Sequence, residues 1–258
     1  METKTLSQKA LDVIEQYSNF SFGNAHTNVP YFNNRTTKKR LSLRAYIGKG
    51  SPDDIREELE TIAVKEKINQ NSFTNESLKK LLVDNDLGIE CSGYVYHILE
   101  AESKSQNRGS ISKNINFIKK PSFLGQMICS IRPVENCDTE TFAHDTNSNK
   151  IDTKDVLPGD IITMIGDKAN KERNHILIVK EVHYVNNSPK QIIYSHSVAY
   201  PEDGLYNTGP REGSIEILNT NFPITEQKWV EENRQGDDNK LHVRAKNSQT
   251  EIRRLKFL

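Results

Sequence analysis

The sequence predicts an α+β domain built around an antiparallel sheet. Helix-start signals and helical apolar spacing dominate the first hundred residues. Short runs rich in Ile, Val and Tyr appear only after about residue 160. Helices first and strands later, without alternation, is the α+β pattern.

Leu6, Ala10, Leu11, Ile14 and Tyr17 recur at helical spacing and predict a helix over residues 5 to 19. An Asn-, Gly- and Phe-containing loop follows through Val29-Pro30-Tyr31-Phe32-Asn33-Asn34. Arg35, Lys38, Lys39, Arg40 and Arg44 then form a basic stretch, read as a solvated loop or, functionally, as a contact for carboxylates or phosphates. Ser51-Pro52-Asp53-Asp54 is a helix start with a capping Ser, Pro in the first turn and acids at the positive end of the dipole. That helix is expected to run to Lys67; Thr74-Asn75-Glu76-Ser77 starts the next, ending before Gly88, and a third begins at or near Cys91. Residues 103 to 155 are polar and weakly periodic and are expected to hold loops with short elements. Strands are expected at Asp160 to Met164, His175 to His183, Gln191 to Ser197, Ser214 to Ile217 and Ile252 to Phe257.

Lys plus Arg equals Asp plus Glu at 35 each, so the formal charge is zero and no polyanionic partner is expected, nucleic acid included. Cys91, Cys129 and Cys137 lack the paired short spacing of a zinc site and are too few for a disulfide-stapled secreted domain. They read as thiols in a reducing compartment, with neither metal nor cofactor expected. The first twenty residues lack the apolar run of a secretory signal, and no stretch approaches the eighteen apolar residues of a membrane span. A cytoplasmic location is the expectation, with export by another route left open.

The strongest local signal is Gly88-Ile89-Glu90-Cys91-Ser92-Gly93-Tyr94-Val95. Gly88 ends one helix, so Cys91 falls at the start of the next, where the dipole and unpaired N–H groups favour a thiolate. Gly93 removes a side chain beside the sulfur and lets another element approach. The bland alternative is a small buried hydrophobe, the usual fate of a lone Cys. Two further features weigh against it. In Asn174-His175-Ile176-Leu177, a His opens an otherwise apolar strand and is a candidate base for the thiol. Tyr194-Ser195-His196-Ser197 lies on the returning strand of a hairpin whose turn is marked by Asn186-Asn187-Ser188-Pro189. If paired residue numbers in that hairpin sum to an odd number, alternation puts His196 on the face of His175, where it could orient the base; an even register ends that idea.

These residues resemble the NlpC-like peptidases, papain-fold enzymes that cut bacterial cell-wall peptides. Glu90-Cys91-Ser92-Gly93-Tyr94-Val95 is similar to their Asp-Cys-Ser-Gly-Phe-Val nucleophile motif, with Glu90 in place of the usual Asp. Leu157-Pro158-Gly159-Asp160-Ile161-Ile162 resembles their Pro-Gly-Asp turn, Asn174-His175-Ile176 their base motif, and Tyr194-Ser195-His196-Ser197 the segment of their third polar residue. Either Val29-Pro30-Tyr31-Phe32 or Ala45-Tyr46-Ile47-Gly48 matches the upstream tyrosine-bearing segment.

The resemblance covers residues 85 to 200 and implies a papain-like core over 85 to 258, including C-terminal strands. Residues 1 to 84 become an N-terminal helical extension packed on it. It implies catalytic Cys91, His175 and His196, with Tyr31, Tyr46, Ser92, Gly93 and Tyr194 against the substrate. The implied activity is a cysteine peptidase or amidase acting on peptide or cell-wall-peptide bonds. Acyl transfer or deamidation in the cytoplasm, and a non-catalytic binding protein, are the alternatives. His97 faces away from Cys91 on an ideal helix, His26, His144, His183 and His242 carry no partner pattern, and Trp229 reads as a packing anchor, with ligand stacking as the alternative.

Overall fold

The computed structural model describes residues 2–33, 44–119, 122–166, 173–232 and 234–258. Arg35, Lys38, Lys39 and Arg40 of the basic stretch therefore lie outside the described residues; Arg44 opens a short 3-10 turn, Arg44–Ile47. The fold is mixed helix and antiparallel sheet, the α+β class expected. The chain divides into two compact units. Met1–Ala10, Leu99–Ser195 and Glu212–Leu258 make the first; Leu11–Ile98 and His196–Arg211 make the second.

Among the described residues, most of a nine-stranded sheet falls in the first unit, with the last residues of β7 and the first of β8 assigned to the second. The strands of the sheet are β1 (Glu2–Thr5), β4 (Ser148–Ile151), β5 (Ile161–Gly166), β6 (His175–Val185), β7 (Ser188–Val198), β8 (Gly209–Glu216), β9 (Lys228–Glu231), β10 (Arg234–Gln235) and β11 (Ser248–Leu255). They run in the order β10-β9-β8-β7-β6-β5-β11-β4, with β1 on β6. The expected strands after residue 160 are all present. The hairpin turn puts Asn186 and Asn187 at φ 52° and 61°, two successive left-handed residues, as a tight primed turn requires.

One face of this sheet carries a core that includes Ile162, Leu177, Val179, Tyr194, Ile215, Trp229 and Ile252. The C-terminal helix Lys240–Lys246 adds Leu241 and Ala245. Trp229 is the packing anchor expected: fully buried, its Nε1 donates to the Ile224 carbonyl at 2.9 Å, and its ring stacks on His242 at 5.8 Å.

The Pro-Gly-Asp turn is fixed by its own bonds. Gly159 takes φ 91° and donates to Val179 O at 3.0 Å, while Val179 N–H returns to Asp160 O at 2.8 Å. The buried Asp160 carboxylate accepts from Leu157 N–H at 2.8 Å and from Arg254 Nε and Nη2 at 2.7 and 2.8 Å.

Two boundaries differ from expectation. The first helix, α1, begins at Gln8 rather than residue 5. Residues 2–5 are instead the edge strand β1, pairing Glu2 with Tyr184 through Thr5 with Glu181. The sequence Glu-Thr-Lys-Thr has no buried side chain to reveal a strand, so backbone pairing alone defines it.

The second unit holds most of α1 (Gln8–Ser18), the hairpin β2–β3 (Phe20–Phe22, Ala25–Thr27), and helices α2 (Pro52–Glu66) and α3 (Asn75–Asp84). It also holds the first eight residues of α4 (Cys91–Ser105). Both predicted helix starts are capping boxes, Ser51 with Asp54 and Thr74 with Ser77. Ile55, Leu59, Leu78, Leu82, Tyr94 and Val95 are fully buried. Among the described residues, no helix is long and apolar enough to cross a membrane.

Candidate functional site

Cys91 is the first residue of α4, and its neighbourhood in the second unit is closely tied. The first bond of the helix runs from Tyr94 N–H to Glu90 O at 2.9 Å. Glu90 is therefore the cap, and the first-turn N–H groups, from Cys91 onward, point along the axis with no carbonyl of the helix ahead of them. The lead-in is pinned from three segments. Ile89 N–H donates to Pro30 O at 3.0 Å, Glu90 N–H to Gly48 O at 3.0 Å, and Ser197 Oγ to Ile89 O at 2.8 Å.

Glu90 is the hub of a polar cluster. Its Oε1 lies 2.5 Å from Lys49 Nζ and accepts from Ser92 Oγ at 2.6 Å; its Oε2 accepts from Asn33 Nδ2 at 3.2 Å. Lys49 Nζ also donates to Ser92 Oγ at 2.7 Å. Glu90 is thus neutralised beside the thiol. An anion at Cys91 would face the positive end of the helix dipole, with the nearest carboxylate already compensated. Lys49 and Asn33 went unnoticed in the sequence. An acid next to a candidate nucleophile signals that a counter-charge is needed, but not which of many lysines supplies it.

Gly93 has the close approach expected of it: an added Cβ would lie 2.6 Å from the Gly48 carbonyl oxygen. His97 sits about one turn further on, partly buried, with Nε2 3.0 Å from Lys49 O. Burial pushes its pKa down, and the ring donates through Nε2 to that carbonyl. Tyr31 is half-buried, donates its backbone N–H to Thr208 Oγ1 at 3.1 Å, and accepts from Asn33 at its hydroxyl. Tyr46 bonds Glu58 of α2; burial and that bond push its pKa up to about 12.

His196 is fully buried near the end of β7. Its neighbour Ser197 makes the bond to Ile89, two residues before Cys91.

In the first unit, His175 opens β6, opposite Met164, and is buried. Asn174 before it bridges two elements, accepting from Gly166 N–H at 3.0 Å and donating to Glu140 Oε1 at 3.1 Å. Ile178 pairs with Ser195 and Val179 with Tyr194, so the hairpin register is the odd one. On that register Tyr194 lies on the face of the sheet that carries Leu177 and Val179 of β6. Tyr194 itself, expected against substrate, is fully buried in the sheet core. Its hydroxyl donates to Glu231 Oε2 at 3.0 Å and its ring lies 5.5 Å from Trp229, which gives it a packing role.

None of Cys91, Cys129 and Cys137 is in a disulfide, and all are buried. Among the described residues no cluster of three or more His, Cys, Asp or Glu is placed to hold a metal. Comparison with known proteins found no matching family model, no matching characterised protein and no matching solved structure.

Proposed function

We propose that this chain is a papain-like cysteine hydrolase that cleaves peptide or amide bonds, with cell-wall peptides as its substrate class. Cys91 is the nucleophile, His175 the general base and His196 the residue that positions the base. The reading rests above all on Cys91 being the first residue of α4, at the positive end of its dipole, with the adjacent Glu90 neutralised by Lys49. The chain order of Cys91, Pro158-Gly159-Asp160, His175 and His196 supports it, as does the odd register of β6 and β7.

In this mechanism His175 takes the proton from Sγ, and the thiolate attacks the amide carbonyl carbon. The Cys91 backbone N–H donates to the resulting oxyanion. Collapse breaks the C–N bond as His175 returns the proton to the leaving amine. Water, deprotonated by His175, then hydrolyses the thioester and releases the acid and free thiol.

The test is site-resolved alkylation. Iodoacetamide should modify Cys91 well below pH 8, ahead of Cys129 and Cys137, and His175→Ala should slow that reaction at least tenfold. Equal labelling of the three cysteines overturns the proposal. Release of peptide from cell-wall fragments by the wild type, but not by Cys91→Ala, assigns the substrate class. A reactive Cys91 that releases nothing redirects the reading to acyl transfer.

A further inference from the structure

The helix Phe123–Ile131, here α5, turns its apolar side outward. Phe123 is 86% exposed, Leu124 60%, Met127 50%, Ile128 49% and Ile131 71%. The residues it buries are Gly125 and Cys129. Its rotation is not a matter of loose attachment. Gln126 accepts from Phe117 N–H at 2.9 Å and donates to Phe117 O at 2.8 Å, and Ser122 caps the first turn through Gly125 N–H. These bonds hold the small residues inward and five large apolar side chains in water.

Large contiguous apolar patches of this kind mark association surfaces. We infer that α5 is the contact of a two-fold dimer of this chain, packing antiparallel against its own copy. Two observations select a second copy as the occupant. First, the face is self-complementary. Phe123, Met127 and Ile131 are spaced four apart with Met127 at the middle of the helix, so a two-fold axis through Met127 sets Phe123 against the mate's Ile131 and Ile131 against its Phe123. Rows at that spacing interlock in helix pairs crossing at about −50°. No charged residue lies within Phe123–Ile131 itself.

Second, the area suffices. With on the order of 200 Å² for each large apolar residue, the five exposures leave roughly 600 Å² of apolar surface per copy. Complete coverage of both faces would bury at most roughly 1,200 Å², the lower bound of specific interfaces. Contact of this size predicts a modest, concentration-dependent dimer.

Sedimentation velocity of the full chain from low to high micromolar concentration tests it. The wild type should pass from monomer to dimer. Ile131→Glu places a charge on each side of the interface and should raise the dissociation constant roughly a hundredfold. Val64→Glu, which replaces an apolar residue 77% exposed on α2, should leave it unchanged. Met127→Cys lies on the axis and should give a disulfide-linked dimer in air with a copper catalyst, whereas Leu205→Cys should not. Circular dichroism of each variant confirms the fold. A wild type that stays monomeric throughout overturns the inference, as does a dimer unaffected by Ile131→Glu. A monomer that floats with anionic phosphatidylglycerol vesicles through Phe123 also overturns it and assigns the face to a lipid surface.

Discussion

Lys49 and Glu90 face each other at 2.5 Å with their side chains only 8% and 12% exposed. At that burial the Coulomb gain is offset by desolvation, so the pair contributes little net stability while the loss of either partner is costly. Lys49→Met should destabilise the protein by about 3–5 kcal/mol, because it strands a buried carboxylate. The double variant Lys49→Met with Glu90→Gln should recover at least half of that, since the neutral amide carries no charge to strand and can still bond Ser92 and Asn33. Urea unfolding of the four-member cycle measures both. A single-variant cost within that of a surface substitution would remove Glu90 from the centre of the cluster.

Gly93 separates two opposing effects. In an ordinary helix, Gly→Ala gains up to about 1 kcal/mol from backbone entropy. Here the new Cβ meets the Gly48 carbonyl oxygen at 2.6 Å, and that oxygen is held by Glu90 N–H. A fixed backbone atom cannot yield cheaply, and overpacking costs about 1–3 kcal/mol. Gly93→Ala should therefore lower the melting temperature and slow Cys91 alkylation. An unchanged or raised melting temperature would show that the Gly48 loop gives way.

The two cases show which parts of the fold were legible in advance. Ser51 and Thr74 announce helices because caps satisfy local N–H groups, and Asn186-Asn187 announces a hairpin because few residues accept left-handed φ. The Cys91 helix start and the His175 strand start were readable for the same local reason. Strand β1 was not, since its bonds come from β6 rather than from its own side chains. Lys49 was not, because ion-pair partners are chosen by tertiary distance. Nor was the burial of Tyr194 in the sheet core. Gly213 opposite it leaves the space its hydroxyl needs to reach Glu231, which only the register of distant strands arranges.

Arg254 and Asp160 give a pH signature. Burial pushes the Asp160 carboxyl up, and the Arg254 guanidinium opposes that push. Arg254→Gln removes the opposition, so the folded-state pKa rises further above its unfolded value. A raised carboxyl costs stability at pH above the unfolded pKa, and the cost fades as protonation becomes available. The variant should be weaker than wild type by about 2–4 kcal/mol at pH 7, with the deficit shrinking as pH falls towards about 4. A deficit independent of pH would assign the loss to Arg254's bond to Asp155 O instead.

Lys79 should give the opposite slope. Its Nζ is buried in the second unit and donates to three neutral oxygens, Asn28 O at 2.9 Å, Asn28 Oδ1 at 2.7 Å and Thr208 O at 3.1 Å. Burial with no carboxylate among these bonds lowers its pKa to about 7. The unfolded chain, with an ordinary lysine, binds more protons than the fold between about pH 7 and 10.5. Stability must rise with pH across that window, because the fold no longer has to hold a charge there. Against Lys79→Met, which cannot titrate, the wild type should gain on the order of a few kcal/mol from pH 7 to 10. Urea midpoints of both proteins at matched pH read the difference directly. Parallel profiles would mean that the three oxygens stabilise the ammonium well enough to hold its pKa near that of a free lysine.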